Sequence, residues 1–361
     1  MGEKIDFYYL HALNCHPKIG SQTLKKLLFN FSSGKIIWQT SRKEIQSKLG
    51  DKIAEIVDEA RHKYDPEKEA KKLERLGIGY LLFTDDIYPK RLKEIYDAPA
   101  ILYIIGSLKS LSLNPLAIVG SRKYTPYGMA VASKIAKNCA ESGLTIVSGL
   151  ALGIDSIVHR AVLDIGGLTV GVLGCGLDSV YPSSNKELAS KIVEHGGAIV
   201  SEYSPGTPAY KQNFPARNRI IAGLSLGTVV VEAAEKSGAL ITAYLSLEYN
   251  REIFAVPGNI NSPMSQGTNS LIKQGAKLVQ SVDDIICELG GMKLRKKQIV
   301  LQKPQTQEEE LVLTAIKEGV ETPDQIVLVT SLNIVMASMA ISSLEINGLI
   351  QNIGGGRFKI V

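Results

Sequence analysis

Apolar and polar positions change rhythm along the chain. In GSQTLKKLLFNF, Leu24, Leu27, Leu28 and Phe31 recur at i, i+3, i+4 and i+7, a single buried helical face, with Ser21 placed to cap the helix after Gly20. Residues 1 to about 110 read as helical on this pattern. Pro17-Lys18-Ile19-Gly20 reads as a tight turn between helices. It is either a plain bundle turn or the hairpin of a helix-hairpin-helix module, whose backbone N–H groups meet a DNA phosphate. From Leu116 the rhythm becomes short continuous apolar runs separated by helix-length segments: LAIVG, LTIVSG, LTVGVLG, GAIVSE, GTVVVEA, EIFAVPG and AKLVQS. Runs of this kind, buried on both faces, predict a parallel sheet in a doubly wound, Rossmann-like α/β domain. Its ligand site belongs beyond the carboxyl ends of the strands, where the strand order reverses. A polar, basic, proline-containing stretch follows, and the chain ends in three helical segments and a glycine-turned hairpin, the order of a winged helix. The expected organisation is a helical domain (helix-hairpin-helix or SAM-like) at 1–80, the Rossmann-like domain at 81–290, a linker at 291–308 and a winged-helix-like domain at 309–361.

Composition supports a folded, multidomain chain: 361 residues suit two or three domains, and 45% hydrophobic against 21% charged residues is enough for a sizeable core. The net charge of +5 lies mostly in residues 1–110, while 111–290 are balanced. An acidic partner is then held by a few placed cations rather than by a diffuse positive field. Cys15, Cys139, Cys175 and Cys287 are scattered without a CxxC pair, which fits reduced thiols in the cytoplasm and predicts no metal and no cofactor. The N-terminus lacks the apolar run of a signal peptide. The uncharged stretch Gln325 to Leu344 is long enough to span a bilayer but is interrupted by polar residues, so no membrane association is expected.

Several catalytic signatures are missing. There is no GxxxxGK[ST] and no HExxH, and neither glycine cluster after a strand is spaced GxGxxG. Ser148, Asp155 and His159 suggest a triad, but Val147-Ser148-Gly149 is not the GxSxG elbow. Two strand-end loops suit a phosphate instead: Gly120-Ser121-Arg122, and Ser148-Gly149 through Gly153, with a helix starting near Gly153. Glycines admit backbone N–H groups to an anion, a helix N-terminus adds partial positive charge, and Arg122 offers two parallel donors. Such loops serve equally as tight strand-to-helix turns. The densest constellation is Tyr210-Lys211-Gln212-Asn213-Phe214-Pro215-Ala216-Arg217-Asn218-Arg219. An aromatic face for a base with Lys211, Arg217 and Arg219 for the backbone is how single strands are held without reading base edges. The alternative places Phe214 in the core and the cations on a solvated rim. Lys186 is a weaker addition, and Glu232, ending a strand, is either a catalytic carboxylate for a nucleotide or an acceptor that orders its loop.

The runs VGSRKYTPYG, SGLALGIDSIVHRAVL, GVLGCGLDSVYPSSN, IVSEYSPGTPAYKQNFPARNRIIAGLS, VVVEAAEKSGALITA, FAVPGNI and QGTNSLIKQGA together resemble the DNA-processing protein A (DprA/Smf) family, strongly over about residues 80 to 285. The resemblance implies a non-enzymatic, cytoplasmic, homodimeric protein. Such a protein binds and protects single-stranded DNA and helps load the RecA recombinase onto it in natural transformation. It assigns DNA binding to Arg122, Ser148, Gly149, Gly153, Lys211, Phe214, Arg217 and Arg219; with Gly120, Ser121, Lys186 and Asn218 from the loops and the cation-rich run, these are the expected DNA-binding residues. The competing expectation is a phosphoribohydrolase-like nucleotide enzyme on the same fold, using Glu232. In the C-terminal segment, residues 325–347 hold no Lys or Arg, so duplex reading is disfavoured and a protein-contact or regulatory role is expected there.

Overall fold

A computed structural model describes residues 2–290, 306–346 and 349–360, in two compact units, 1–294 and 295–361. The expected linker lies outside the described residues up to 305. The first unit opens with six helices, α1 (Gly2–Asn14), α2 (Ser21–Phe31), α3 (Gly34–Gln39), α4 (Arg42–Leu49), α5 (Asp51–Lys63) and α6 (Pro66–Arg75). Strand β1 (Gly79–Leu82), helix α7 (Lys90–Glu94) and strand β2 (Ile101–Gly106) follow. The alternating part then runs β3 (Pro115–Val119), α8 (Pro126–Glu141), β4 (Thr145–Ser148), α9 (Ile154–Asp164), β5 (Thr169–Val172), α10 (Lys186–Glu194) and β6 (Ala198–Ser201). It continues with α11 (Asn213–Leu224), β7 (Gly227–Val230), α12 (Gly238–Glu248), β8 (Glu252–Ala255), α13 (Gln266–Lys273), β9 (Lys277–Leu278) and α14 (Val282–Glu288).

The strands form one sheet in the order β1-β2-β6-β5-β4-β3-β7-β8-β9. All seven apolar runs are strands, and β6 through β9 pair in parallel. Parallel neighbours need crossovers, which the intervening helices supply. Alternate side chains of β3 feed opposite layers. Leu116 and Ile118 pack with Ile135 of α8 and Val158 of α9, whereas Ala117 and Val119 pack with Ile220 and Ile221 of α11 and Leu240 of α12. A strand sandwiched between two helical layers must be apolar throughout, which is why these runs do not alternate in polarity.

The helical reading to about residue 110 fails at β1 and β2. They extend the sheet beyond β6 as antiparallel strands, Gly79 opposite Ile104 and Tyr103 opposite Ser201. The aromatic and branched residues of ILYII favour a pleated surface. The six N-terminal helices pack on this end of the sheet, so Phe7, Leu24, Leu27, Ile37 and Val57 share one core with Ile101, Tyr103 and Ile199. The apolar face of α2 is buried as expected at Leu24, Leu27 and Phe31, but Gly20 occupies the cap position. The Ser21 hydroxyl instead donates to Glu202 Oε2 at 3.1 Å.

In the second unit, α15 (Gln307–Lys317), α16 (Pro323–Thr330) and α17 (Ile334–Ile346) precede the antiparallel pair β10 (Ile350–Asn352) and β11 (Phe358–Ile360). Val312, Ile316, Ile326, Ile341, Leu344 and Phe358 form its core. The uncharged stretch weighed as a membrane span is broken here, since α16 and α17 meet at 116°. Among the described residues no single helix is long and apolar enough to cross a membrane.

Candidate nucleic-acid interface

The strand order reverses at β3 and β7, and a groove of about 810 Å³ opens beyond the carboxyl ends of these strands. Its floor is made by two loops packed against each other. After β3 the chain runs through Gly120-Ser121-Arg122, and after β4 it runs from Gly149 to the start of α9. Gly153 has φ 84°, and a Cβ there would lie 2.4 Å from the Ser121 carbonyl oxygen. A Cβ on Gly149 would lie 2.3 Å from Arg217 Nη1, and one on Gly120 would strike the Ile154 side chain at 2.7 Å. All three glycines are therefore fixed by close approach within the protein.

Hydrogen bonds complete this floor and engage two of its N–H groups. The Gly149 N–H donates to Asp155 Oδ2 at 3.1 Å, and the Ile154 N–H donates to the Ser121 carbonyl at 3.2 Å. Asn185 Nδ2 donates to the Leu150 carbonyl at 2.8 Å. Arg217 Nη1 donates to the carbonyls of Gly149 and Val172. Arg217 is 4% exposed and Asp155 7%. Burial pulls the guanidinium down to about 10 and pushes the Asp155 carboxyl up, while each charge counteracts the shift of the other.

The structure places the expected DNA-contact residues unequally. Arg217 is a buried brace of the glycine loop. Arg219 points off the opposite side of α11, paired with Glu202 and lying 3.8 Å from Asp97. Ser148 is wholly buried, its hydroxyl donating to the Ile118 carbonyl at 2.7 Å. Ser121 is buried too, its Oγ accepting from the Lys123 N–H at 3.1 Å. Lys186 is exposed in the first turn of α10 but does not line the groove. In the loop cradle the Gly149 and Ile154 N–H groups are already engaged, while Gly149, Ala151 and Leu152 line a small pocket with Arg122, Tyr181 and Phe214.

Of the expected residues the groove is lined by Gly120, Ser121, Arg122, Lys211, Phe214, Arg217 and Asn218, of which the side chains of Arg122, Lys211, Phe214 and Asn218 are not buried. Arg122 and Lys211 are exposed, and Phe214 is half-buried. The Arg122 guanidinium lies 5.6 Å from the Phe214 ring centroid and the Tyr181 ring lies 5.4 Å from it on a tilt of 45°. Asn218 Nδ2 donates to the Gly238 carbonyl at 3.3 Å. Lys123, Tyr181 and Lys236 also line the groove and were missed. Lys236 follows β7 as Arg122 follows β3, so the strand-end rule that selected one loop also pointed to the other. Tyr181 had no such signal, because its approach to Phe214 depends on the fold.

The catalytic readings fail on geometry. Glu232 is buried, and accepts from the Thr125 N–H at 3.0 Å and the Thr125 hydroxyl at 2.5 Å, fixing the start of α8. His159 is fully buried with Nδ1 against Thr169 Oγ1 at 2.7 Å, and Ser148 bonds elsewhere, so no triad forms.

A doubly wound sheet with a groove at its switch point, lined by exposed cations and by the Phe214 and Tyr181 rings, defines a Rossmann-like α/β protein. Residues 79–290 match the family model of DNA recombination-mediator protein A, and the chain belongs to that family. Protein Smf of Synechocystis is 34% identical, the match covering 94% of this chain and 95% of that protein. The chain spans about half the length of the Escherichia coli Protein Smf, 54%, at 45% identity. The X-ray structure of DNA processing protein A from Streptococcus pneumoniae superimposes with TM-score 0.69 at 37% identity, covering 79% of this chain and 97% of that one. The Helicobacter pylori DNA processing protein A, whose structure concerns its single-stranded DNA binding mode, does so with TM-score 0.53 at 33% identity over 59% of this chain and 95% of that one.

Proposed function

We propose that this protein binds single-stranded DNA in the strand-end groove and serves DNA recombination and natural transformation as a non-enzymatic, cytoplasmic mediator. The observation that carries the reading is Phe214 flanked by Arg122 and Tyr181, with the exposed cations Lys123, Lys211 and Lys236 lining the same groove. Several separated cations exceed what one nucleotide phosphate needs, and they match a backbone that carries a charge at every residue. Glu232, the carboxylate a nucleotide-cleaving enzyme would use, is spent on Thr125. The Helicobacter pylori relative supports the choice of single strands. RecA loading and homodimer formation belong to the same proposal through the family resemblance, as do separate roles for residues 1–80, 81–290 and 309–361.

The test is fluorescence anisotropy of a labelled single-stranded oligonucleotide across a salt series, with duplex as competitor. We expect preference for the single strand and log affinity falling with log salt at about 0.7 per phosphate neutralised. An Arg122→Ala/Lys211→Ala protein that binds as tightly as wild type would overturn the site.

A further inference from the structure

A second cluster lies away from the groove, between α1, α6 and the loop after β6. His11 lies in the last turn of α1, and Cys15 follows the helix directly, its N–H donating to the His11 carbonyl at 3.0 Å, so the two sit one turn apart. Glu69 comes to the same point from α6. Cys15 Sγ is 3.9 Å from His11 Nε2 and 4.0 Å from Glu69 Oε2, and the potential ligand atoms of all three residues lie within 4.8 Å of one another. The two sulfur separations exceed by about half an ångström the roughly 3.5 Å edge of a tetrahedron with metal–ligand bonds of about 2.0–2.3 Å, so side-chain rotation has to draw the three ligands together as the metal enters.

The surroundings hold the imidazole as a ligand is held. His11 is 1% exposed, and its Nδ1 is 2.8 Å from the Tyr103 hydroxyl, which also accepts from Asn14 Nδ2 at 3.0 Å. The ring stacks on Phe7 at 5.6 Å and 6° and meets the edge of Tyr103 at 5.5 Å. A fixed oxygen partner on one ring nitrogen, with the other turned toward a thiol and a carboxylate, is the arrangement that orients metal-binding histidines. Cys15, Glu69 and Lys72 also line a cleft of about 470 Å³, so one side of the cluster is reachable from solvent.

We propose that His11, Cys15 and Glu69 form a divalent-metal site of the zinc class that clips α6 to α1, with its fourth position open to this cleft. One nitrogen, one sulfur and one oxygen ligand suit Zn²⁺ better than the hard cations Mg²⁺ and Ca²⁺. The thiol proton leaves to solvent as the Cys15 sulfur binds the metal. Lys72, whose Nζ is 3.9 Å from Glu69 Oε2, competes for the same carboxylate. Searching the sequence for CxxC pairs passes over this site, because its signal is a His-x₃-Cys across the end of a helix joined by a distant carboxylate.

The experiment titrates the chelator-stripped full chain with Co²⁺ and then with Zn²⁺, following the sulfur-to-cobalt charge-transfer band. We expect saturation near roughly one metal per chain and displacement of the band by Zn²⁺. Cys15→Ser, a near-isosteric change, should abolish the band, whereas Cys287→Ser should keep it. Tyr103→Phe should weaken binding by about 10- to 100-fold, and Lys72→Gln should strengthen it. Absence of a sulfur band in the wild type overturns the proposal, as does an undiminished band in Cys15→Ser. If His11→Gln fails to fold, the melting temperature decides the matter: Zn²⁺ should raise it for the wild type and leave it unmoved for Cys15→Ser.

Discussion

Phe214 is useful because it is incompletely buried. An aromatic at the start of a helix normally completes a core, yet here it stays half-buried in the groove beside Arg122 and Tyr181. Phe214→Ala should weaken single-strand binding by about 1–3 kcal/mol without changing the salt slope. Arg122→Ala and Lys211→Ala should each reduce that slope by about 0.7, so salt titration of the three variants separates stacking from charge neutralisation. Arg217 behaves differently despite sitting in the same run of cations. Removing it takes a donor from two carbonyls and leaves the buried Asp155 carboxylate with the Gly149 N–H but no countercharge, so Arg217→Ala should cost about 3–5 kcal/mol of stability, measurable by denaturant unfolding. Sequence alone marked Lys211, Phe214, Arg217 and Arg219 as one cluster. It did not separate them, because a two-residue step from Arg217 to Arg219 carries a side chain to a different face of α11, and only the docked helix reveals which face meets the groove.

At the scale of elements, the groove exists because two loops are pressed together. Gly153→Ala places a methyl group against the Ser121 carbonyl in a backbone region that L residues avoid. We expect a lower melting temperature and also weaker DNA binding, since Arg122 follows Ser121 directly; unchanged affinity in a folded Gly153→Ala protein would separate the loop from the site. The strands themselves were legible. Seven apolar runs became seven strands; in β3 to β7 burial on both faces leaves no room for polar alternation, while β8 is partly and β9 wholly exposed toward the sheet edge. The pair β1 and β2 was not, because Gly79-Tyr80-Leu81-Leu82 is too short for its period to distinguish strand from helix, and its pairing to β2 is a long-range event. Glu232 illustrates the converse case. Its position at a strand end was readable, but its partner Thr125 lies 107 residues away in sequence.

For the whole molecule, two expectations follow. The exposed residues Ile334, Val335 and Met339 of α17 make an apolar, cation-free surface unlike one that follows phosphates. Deleting residues 300–361 should therefore change single-strand affinity by less than about tenfold in the anisotropy assay. The second expectation concerns acid. Burial lowers His159 to about 3, against 6.5 when unfolded. The unfolded chain therefore binds the extra proton between these values, and this contribution to stability is present above pH 6.5 and is lost as pH falls toward 3. Asp155 and Glu202, raised by burial, act in the opposite sense, so the comparison is made with His159→Gln in the same buffers. That variant should lose less stability than the wild type between about pH 6.5 and 4.

The same helix that offers Phe214 to the groove is tied through Arg219 to Glu202, and Glu202 is tied to Ser21 at the start of α2. The chain's one tryptophan, Trp38, lies in α3 and packs into the N-terminal helical core, away from the groove. Its emission is therefore blind to a base stacking on Phe214 itself. A change in that emission when an oligonucleotide binds would be an optical record of strain carried along α11, and Arg219→Gln should silence it while leaving the groove filled.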